Sequence, residues 1–215
     1  VSLEIVLATH NAHKVAEFQR IIGERMPHAT VVSYDGPEPV EDGVTFAENA
    51  LIKARAAAAH TGRVSLADDS GIVVDVLGEA PGILSARWAG HRAGDEANRR
   101  LLLDQLSDLA RPNRGAEFRC TIALVVPDGL LPGGSEFVAE GRWRGTVAYE
   151  PRGSHGFGYD PIFEPDGHEI TAAELTPDEK NAKSHRALAF VELLPELERV
   201  AERVSAAVAQ GDAEA

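Results

Sequence analysis

The sequence predicts an α/β fold: one domain over residues 1–215, built on a mixed sheet with helices on both faces. Three observations carry this. Segments with apolar residues at helical spacing alternate along the chain with short apolar runs, as in a sheet layered by helices. Two longer strand-like runs lie close together around a Pro127-Asp128-Gly129 turn, which adds antiparallel character to the sheet. With 215 residues, 44% hydrophobic and 26% charged, the chain can bury a sizeable core.

Leu3 to Ala8 reads as the first strand, and Thr9, His10 and Asn11 as a polar turn. A helix follows with Val15, Phe18 and Ile22 at helical spacing, and Pro27 ends it. Thr30 to Tyr34 is a second strand, and the Pro-, Gly- and acid-bearing stretch Asp35 to Gly43 is a loop. An alanine-rich helix is expected from Thr45 to His60, opened by the capping-box spacing of Thr45 and Glu48. Two short strands, Val64–Ala67 and Ile72–Val76, flank Asp68-Asp69-Ser70-Gly71. Gly78 to Gly90 is a loop, Asp95 to Leu109 a helix, and Arg111 to Gly115 a connector. Strands then cover Ala116–Val126, Ser135–Arg142 and Thr146–Tyr149, and Pro151 to Pro161 is a glycine-rich loop. A second capping box, Thr176 to Glu179 with Pro177 at the first helical position, opens a helix to Leu194. Pro195 bends or restarts that helix, and a polar tail over 210–215 is expected to be disordered.

Composition narrows the function. A net charge of −13 argues against a nucleic-acid binder, which needs a basic face to displace counterions. A small polyanion remains compatible if a few Lys or Arg and a metal concentrate positive charge locally. No run approaches the ~18 apolar residues that span a bilayer, and the first residues lack a secretory pattern. The single cysteine, Cys120, lies in an apolar run and forms no internal disulfide, which fits a reducing cytoplasm.

Adjacent carboxylates, Asp68 and Asp69, are the most informative feature. Alternation along a strand points them in different directions, yet beside a turn they can converge on one hard cation. Mg²⁺ suits such a site, because it takes one or two carboxylates plus waters and substrate phosphates. Asp, Ser and Gly equally suit a plain hairpin turn. Glu41 and Asp42, upstream, could complete a Mg²⁺ site. At the first strand–helix junction, Thr9-His10-Asn11-Ala12-His13-Lys14 gathers hydroxyl, amide and ammonium groups where a helix start binds anions. The alternative is that Asn11 only caps the helix and Lys14 is solvated. His10 and His13 lack a nearby third ligand and read as surface histidines rather than a metal pair.

Asn49 and Lys53 share a helix face and either grip a phosphate or face water. Phe157-Gly158-Tyr159-Asp160 sits in a glycine-rich loop, where an aromatic face could stack on a nucleobase or anchor the loop to the core. Lys180, Lys183, His185 and Arg186 follow the second capping box. Cations near a helix start oppose its dipole, a cost that hints at a negative group opposite.

These segments, in this order, resemble the inosine/xanthosine triphosphate pyrophosphatase family. The matching stretches are Thr9 to Lys14, Thr45-Phe46 with Glu48-Asn49-Ala50 and Lys53-Ala54, Leu66 to Gly71, Pro81 to Arg87, Gly156 to Pro161, and Glu174 to Arg186. The resemblance implies an elongated central sheet, two lobes around a cleft and usually a homodimer; the charge, hydropathy and cysteine use above lead to the expectation of a cytoplasmic protein with no nucleic-acid or membrane partner. It implies Mg²⁺-dependent cleavage of non-standard purine nucleoside triphosphates (ITP, dITP, XTP) to monophosphate and pyrophosphate. Carried over, Asp69 is general base and metal ligand, with Asp68 and Glu41 supporting the metal. Thr9, His10, Asn11, Ala12, His13, Lys14, Lys53 and Ser70 contact the triphosphate. Phe157, Gly158, Tyr159, Asp160, Lys180, His185 and Arg186 hold the nucleoside. Two departures stand out: His10 replaces a common glycine and could narrow the phosphate loop, and Lys183 replaces a common apolar residue. A non-hydrolytic nucleotide-binding module and a hydrolase of other modified nucleotides are the competing readings.

Overall fold

The structure, a computed structural model, describes residues 3–214; of these, the side chains of His13 and of 208–214 lie outside the described residues. Six strands form one sheet: β1 (Leu3–Leu7), β2 (Ala29–Ser33), β3 (Val64–Val74), β4 (Gly115–Val126), β5 (Ser135–Val147) and β6 (Phe163–Pro165). Their order is β2-β1-β3-β4-β5-β6. β1 pairs in parallel with β2 and β3, and β5 pairs antiparallel with β6, so the sheet is mixed, as expected. The helices are α1 (Ala12–Arg25), α2 (Phe46–Thr61), α3 (Gly94–Gln105), α4 (Pro177–Lys183) and α5 (His185–Glu214). Among the described residues, no helix is long and apolar enough to cross a membrane.

The chain divides into two units, and β3, β4 and β5 run from one into the other. The first unit comprises the chain to Asp69, Thr121–Glu140 and the segment from Ala189 on. Here α1 connects β1 to β2 and α2 connects β2 back past β1 to β3. Right-handed crossovers running in opposite directions across a sheet place their helices on opposite faces. The pleat agrees: Val6, Ala8 and Ala67 pack with Ala50, Ala54, Ala57 and Ala58 of α2. Ile5 and Leu7, in register with Val64 and Leu66, therefore face the α1 side. The small residues of α2 let the helix sit close to the sheet. Thr45 and Glu48 close the expected capping box, with Glu48 N–H donating to Thr45 Oγ1 at 3.1 Å and Thr45 N–H to Glu48 Oε2 at 3.1 Å.

The second unit comprises Ser70–Cys120 and Gly141–Leu188. Its core gathers Ile72, Val74, Leu102, Leu106, Phe118, Trp143, Ile162 and Phe163. The aromatic rings pack edge-on, Phe118 and Trp143 lying 4.6 and 5.5 Å from Phe163.

Four expectations need correction. The two short strands around the aspartates are one strand, β3, and no hairpin turn interrupts it. Gly71 is there for close approach: a Cβ would meet Ser85 Oγ at 2.4 Å and Gly82 O at 2.5 Å. Likewise the gap read between Arg142 and Thr146 is continuous β5, because Gly145 admits β6, which the sequence reading missed. The single helix expected from Pro177 to Leu194 is α4 and α5, broken at Ser184, whose N–H donates to Lys180 O at 2.8 Å while its Oγ accepts from Ala187 N–H at 3.3 Å. It thus ends one helix and caps the next. Pro195 lies inside α5 without ending it; the carbonyl it leaves without a helical donor belongs to exposed Val191, where solvent can satisfy it. The tail expected to be disordered falls on the end of α5, where the side chains lie outside the described residues.

A Cβ at position 145 would lie 2.3 Å from Glu164 O and 2.7 Å from the Phe163 ring. Gly145→Ala is therefore expected to destabilise the protein by about 1–3 kcal/mol, read as a lower urea midpoint with an unchanged slope.

Candidate active site

The pleat of β3 sorts the two aspartates. Asp69 shares the face of Ala67, on the α2 side, and Asp68 shares the face of Leu66, on the α1 side. Each meets a lysine from its own helix. Lys14 Nζ of α1 lies 2.9 Å from Asp68 Oδ2, whose side chain is fully buried. Lys53 Nζ of α2 lies 3.6 Å from Asp69 Oδ1 and 3.0 Å from Glu41 Oε2. One turn earlier on α2, buried Asn49 donates from Nδ2 to Asp69 Oδ2 at 3.2 Å and accepts Gly43 N–H at its Oδ1 at 2.9 Å. Asn49 thus orients Asp69 and pins the loop that carries Glu41. The sequence reading noted its spacing from Lys53 without giving it this role.

Burial, with the Glu41 charge nearby, pushes the Asp69 carboxyl above its ordinary range against the pull of Lys53, Lys14 and Asn49. Burial alone would lower Lys53, but Asp69, Asp68 and Glu41 together raise it, so the ammonium stays charged. The pair is thus a basic carboxylate beside a firmly protonated lysine.

The donor set fits a hard divalent cation in part. Glu41 and Asp69 both reach one cationic nitrogen, so their oxygens converge on a point a metal could take, with the remaining positions left to phosphate and water. The expected third ligand, Asp68, meets Lys14 at 2.9 Å and also acts electrostatically on Lys53. Among the described residues, no group of three His, Cys, Asp or Glu is arranged to hold a metal.

At the β1–α1 junction both readings of the turn hold in part. Asn11 caps α1, its Oδ1 accepting Lys14 N–H at 3.3 Å, while its own N–H donates to Thr9 Oγ1 at 3.1 Å. Ala12 opens the helix, where N–H groups lack helical acceptors. Lys14 is not solvated but paired. His10 Nδ1 lies 2.9 Å from Glu38 Oε1, and its ring stacks on Tyr34. The side chain of His13 lies outside the described residues.

One peptide beyond Asp69, in the second unit, Ser70 Oγ accepts from Arg186 Nη2 at 2.9 Å. Arg186 and Lys180 both approach the half-buried Phe157 ring, at 5.1 and 5.2 Å from its centroid. Buried His185 stacks on Phe118 at 4.8 Å. The two loop aromatics separate cleanly. Tyr159 is the anchor, buried, with its hydroxyl donating to Ser85 O at 2.8 Å and held neutral by burial. Phe157 is the ring left near the cations.

Asp160 and Lys180 form a buried ion pair at 2.7 Å, and Asp160 also accepts Phe157 N–H at 2.8 Å. The negative group suspected opposite the lysines is therefore Asp160, within the protein. Lys180 and Lys183 lie in the last turn of α4, where the dipole favours them, whereas His185 and Arg186 open α5. Lys183 is exposed and disturbs no packing.

The molecule is an α/β protein whose first unit carries lysine-backed carboxylates and a helix-start turn, groups suited to phosphate, and whose second unit carries an aromatic ring among cations. The chain belongs to the Ham1 family, whose profile matches residues 5–196. A dITP/XTP pyrophosphatase of Leifsonia xyli subsp. xyli is 60% identical over 195 residues, covering 91% of this chain and 96% of the relative. The structure of a HAM1 protein from Coxiella burnetii is 43% identical with a TM-score of 0.80, over 92% of this chain and 99% of that one. That of a nucleoside-triphosphatase / dITP/XTP pyrophosphatase from Mycobacterium abscessus is 48% identical with a TM-score of 0.71, over 90% and 100%.

Removing one partner of a buried pair leaves an uncompensated charge. Lys180→Met, which strands Asp160, is expected to cost about 3–5 kcal/mol, measured by chemical denaturation at neutral pH.

Proposed function

We propose that this chain hydrolyses non-standard purine nucleoside triphosphates (dITP, ITP and XTP) to the monophosphate and pyrophosphate, with Mg²⁺, as a cytoplasmic homodimer. One observation carries the reading: Asp69, made basic by burial, is oriented by Asn49 beside protonated Lys53, one peptide from Ser70. The relative from Leifsonia xyli subsp. xyli, named for dITP and XTP, supports the choice of substrates.

The chemistry follows from these groups. Water attacks the α-phosphorus, a new P–O bond forms, and the bond to the β-phosphate oxygen breaks. Asp69 takes the water's proton; a base with a raised pKa does this better than an ordinary carboxylate. Lys14 and Lys53 offset charge gathering on the departing pyrophosphate. Thr9 to Lys14, at the start of α1, and Ser70 bind phosphate oxygens. Asp69 and Glu41, with Asp68 in support, would hold Mg²⁺, which would supply charge neutralisation on the phosphate oxygens.

Phe157 offers the purine a stacking face, and His185 and Arg186 offer donors to the 6-oxo group that inosine and xanthine carry. Adenine presents an amino donor there and would leave those groups unpaired, a mismatch that can discriminate by ~10⁴-fold. Lys180 and Asp160 serve the nucleoside by holding the loop.

Pyrophosphate release over a nucleotide panel, with and without Mg²⁺, tests this directly. Release from dITP, ITP and XTP, little from ATP and GTP, and loss without Mg²⁺ are expected. Equal rates on all would refute the selectivity, and binding without release would favour the non-hydrolytic module. Asp69→Asn is expected to lower kcat by at least ~10²-fold while nucleotide binding persists. The pH profile gives an independent check. Asp69 acts when ionised, so kcat/KM falls as pH drops through its raised pKa. Lys53→Met removes a charge that holds that pKa down, and the acid limb should move to higher pH. The ionised form of a carboxyl with a raised folded pKa costs stability, so Asp69→Asn should not unfold the protein at neutral pH.

A further inference from the structure

α3 carries two residues that no part of the reaction yet uses, Asp95 in its first turn and Arg99 one turn later. Both reach Gly158 on the loop: Gly158 N–H donates to Asp95 Oδ2 at 2.8 Å, and Gly158 O accepts from Arg99 Nη1 at 2.6 Å. We propose that Asp95 and Arg99 are positioning residues for purine recognition, clamping Gly158 from α3 so that the adjacent Phe157 keeps its ring among Lys180 and Arg186.

The clamp completes a frame around Phe157. Its own N–H goes to Asp160 Oδ2 at 2.8 Å, and its carbonyl accepts Asp160 N–H at 3.1 Å. The next residue is then gripped on both polar groups by α3. Both peptides flanking Phe157 are therefore anchored, which fixes the point from which its ring projects toward Lys180 and Arg186.

A clamp is only as good as its base, and α3 is well seated. Between the two clamp residues in sequence, buried Asn98 accepts Ala89 N–H at 2.8 Å and donates to Ala86 O at 3.1 Å. Trp88 Nε1–H donates to Gln105 Oε1 at 2.9 Å, tying the same segment to the far end of α3. Ser85, two residues before Arg87, accepts Ile72 N–H at 3.0 Å and receives the Tyr159 hydroxyl at its carbonyl. The loop is thus braced through Tyr159 and through α3 to the same 82–90 segment. Asp95 is exposed and Arg99 half-buried, so neither earns its place by filling the core.

This inference rests on Phe157 stacking on the purine, and the experiment separates the two claims. KM and kcat for dITP are measured in Asp95→Ala, Asp95→Asn, Arg99→Met, Phe157→Ala and the double variant Asp95→Ala/Phe157→Ala, with melting temperature as a control on folding. Asp95→Ala and Arg99→Met are expected to raise KM about tenfold with kcat within about twofold. Asp95→Asn, which keeps an acceptor, should recover most of the loss. In the Phe157→Ala background, Asp95→Ala should change KM no further, because the clamp acts through the ring. A raised KM in Phe157→Ala, with Asp95→Ala either silent or fully additive to it, would overturn the clamp alone. An unchanged KM in Phe157→Ala would overturn the stacking reading and the clamp with it.

Discussion

Two consecutive residues of an extended strand cannot share a face, and the arrangement of charge in this protein starts from that constraint. Asp68 and Asp69 leave β3 on opposite sides, so each finds its nearest lysine on a different helix, although Lys14 and Lys53 each act electrostatically on Asp69 as well. The topology answers with a helix on each side, and each helix delivers a lysine, Lys14 to Asp68 and Lys53 to Asp69. The consequence is a division of labour. Asp68 is sunk in the sheet and neutralised by its own lysine. Asp69 is partly open, shares Lys53 with Glu41, and keeps a carboxylate whose proton affinity is set above the ordinary range.

The second unit solves a different problem, holding an aromatic ring in a loop that has no secondary structure to fix it. Its means are polar rather than apolar. A buried ion pair, Asp160 with Lys180, takes the backbone of Phe157 from one side, and α3 takes Gly158 from the other. Tyr159 goes inward and Phe157 stays out. The break at Ser184 contributes as well: a continuous helix would carry Lys180 and Arg186 on one rigid axis, whereas two helices let each reach the ring independently.

Much of this was readable from residues alone where the signal is local. Both capping boxes, the Asn11 cap and the strand–helix alternation of the first seventy residues obey short-range rules and fell where expected. The failures share a cause. Gly71 and Gly145 look like turn residues, yet they sit within strands, where Ser85 and Gly82, and Glu164, come too near for a side chain. Nothing local tells Tyr159 from Phe157, since what separates them is a carbonyl 74 residues away. The partners of Asp95 and Arg99 are similarly remote, and β6, at three residues, carries no pattern of its own.

Asn49 illustrates how narrow the chemical choice becomes once such partners are in place. At one end it must donate a hydrogen bond to a carboxylate, and at the other accept one from a backbone amide. Among side chains of that size only a carboxamide does both, and the demand also settles which way round the amide lies. An isosteric aspartate would face Asp69 with a second carboxyl, and the two could stay together only by sharing one proton, which would take Asp69 out of its ionised form.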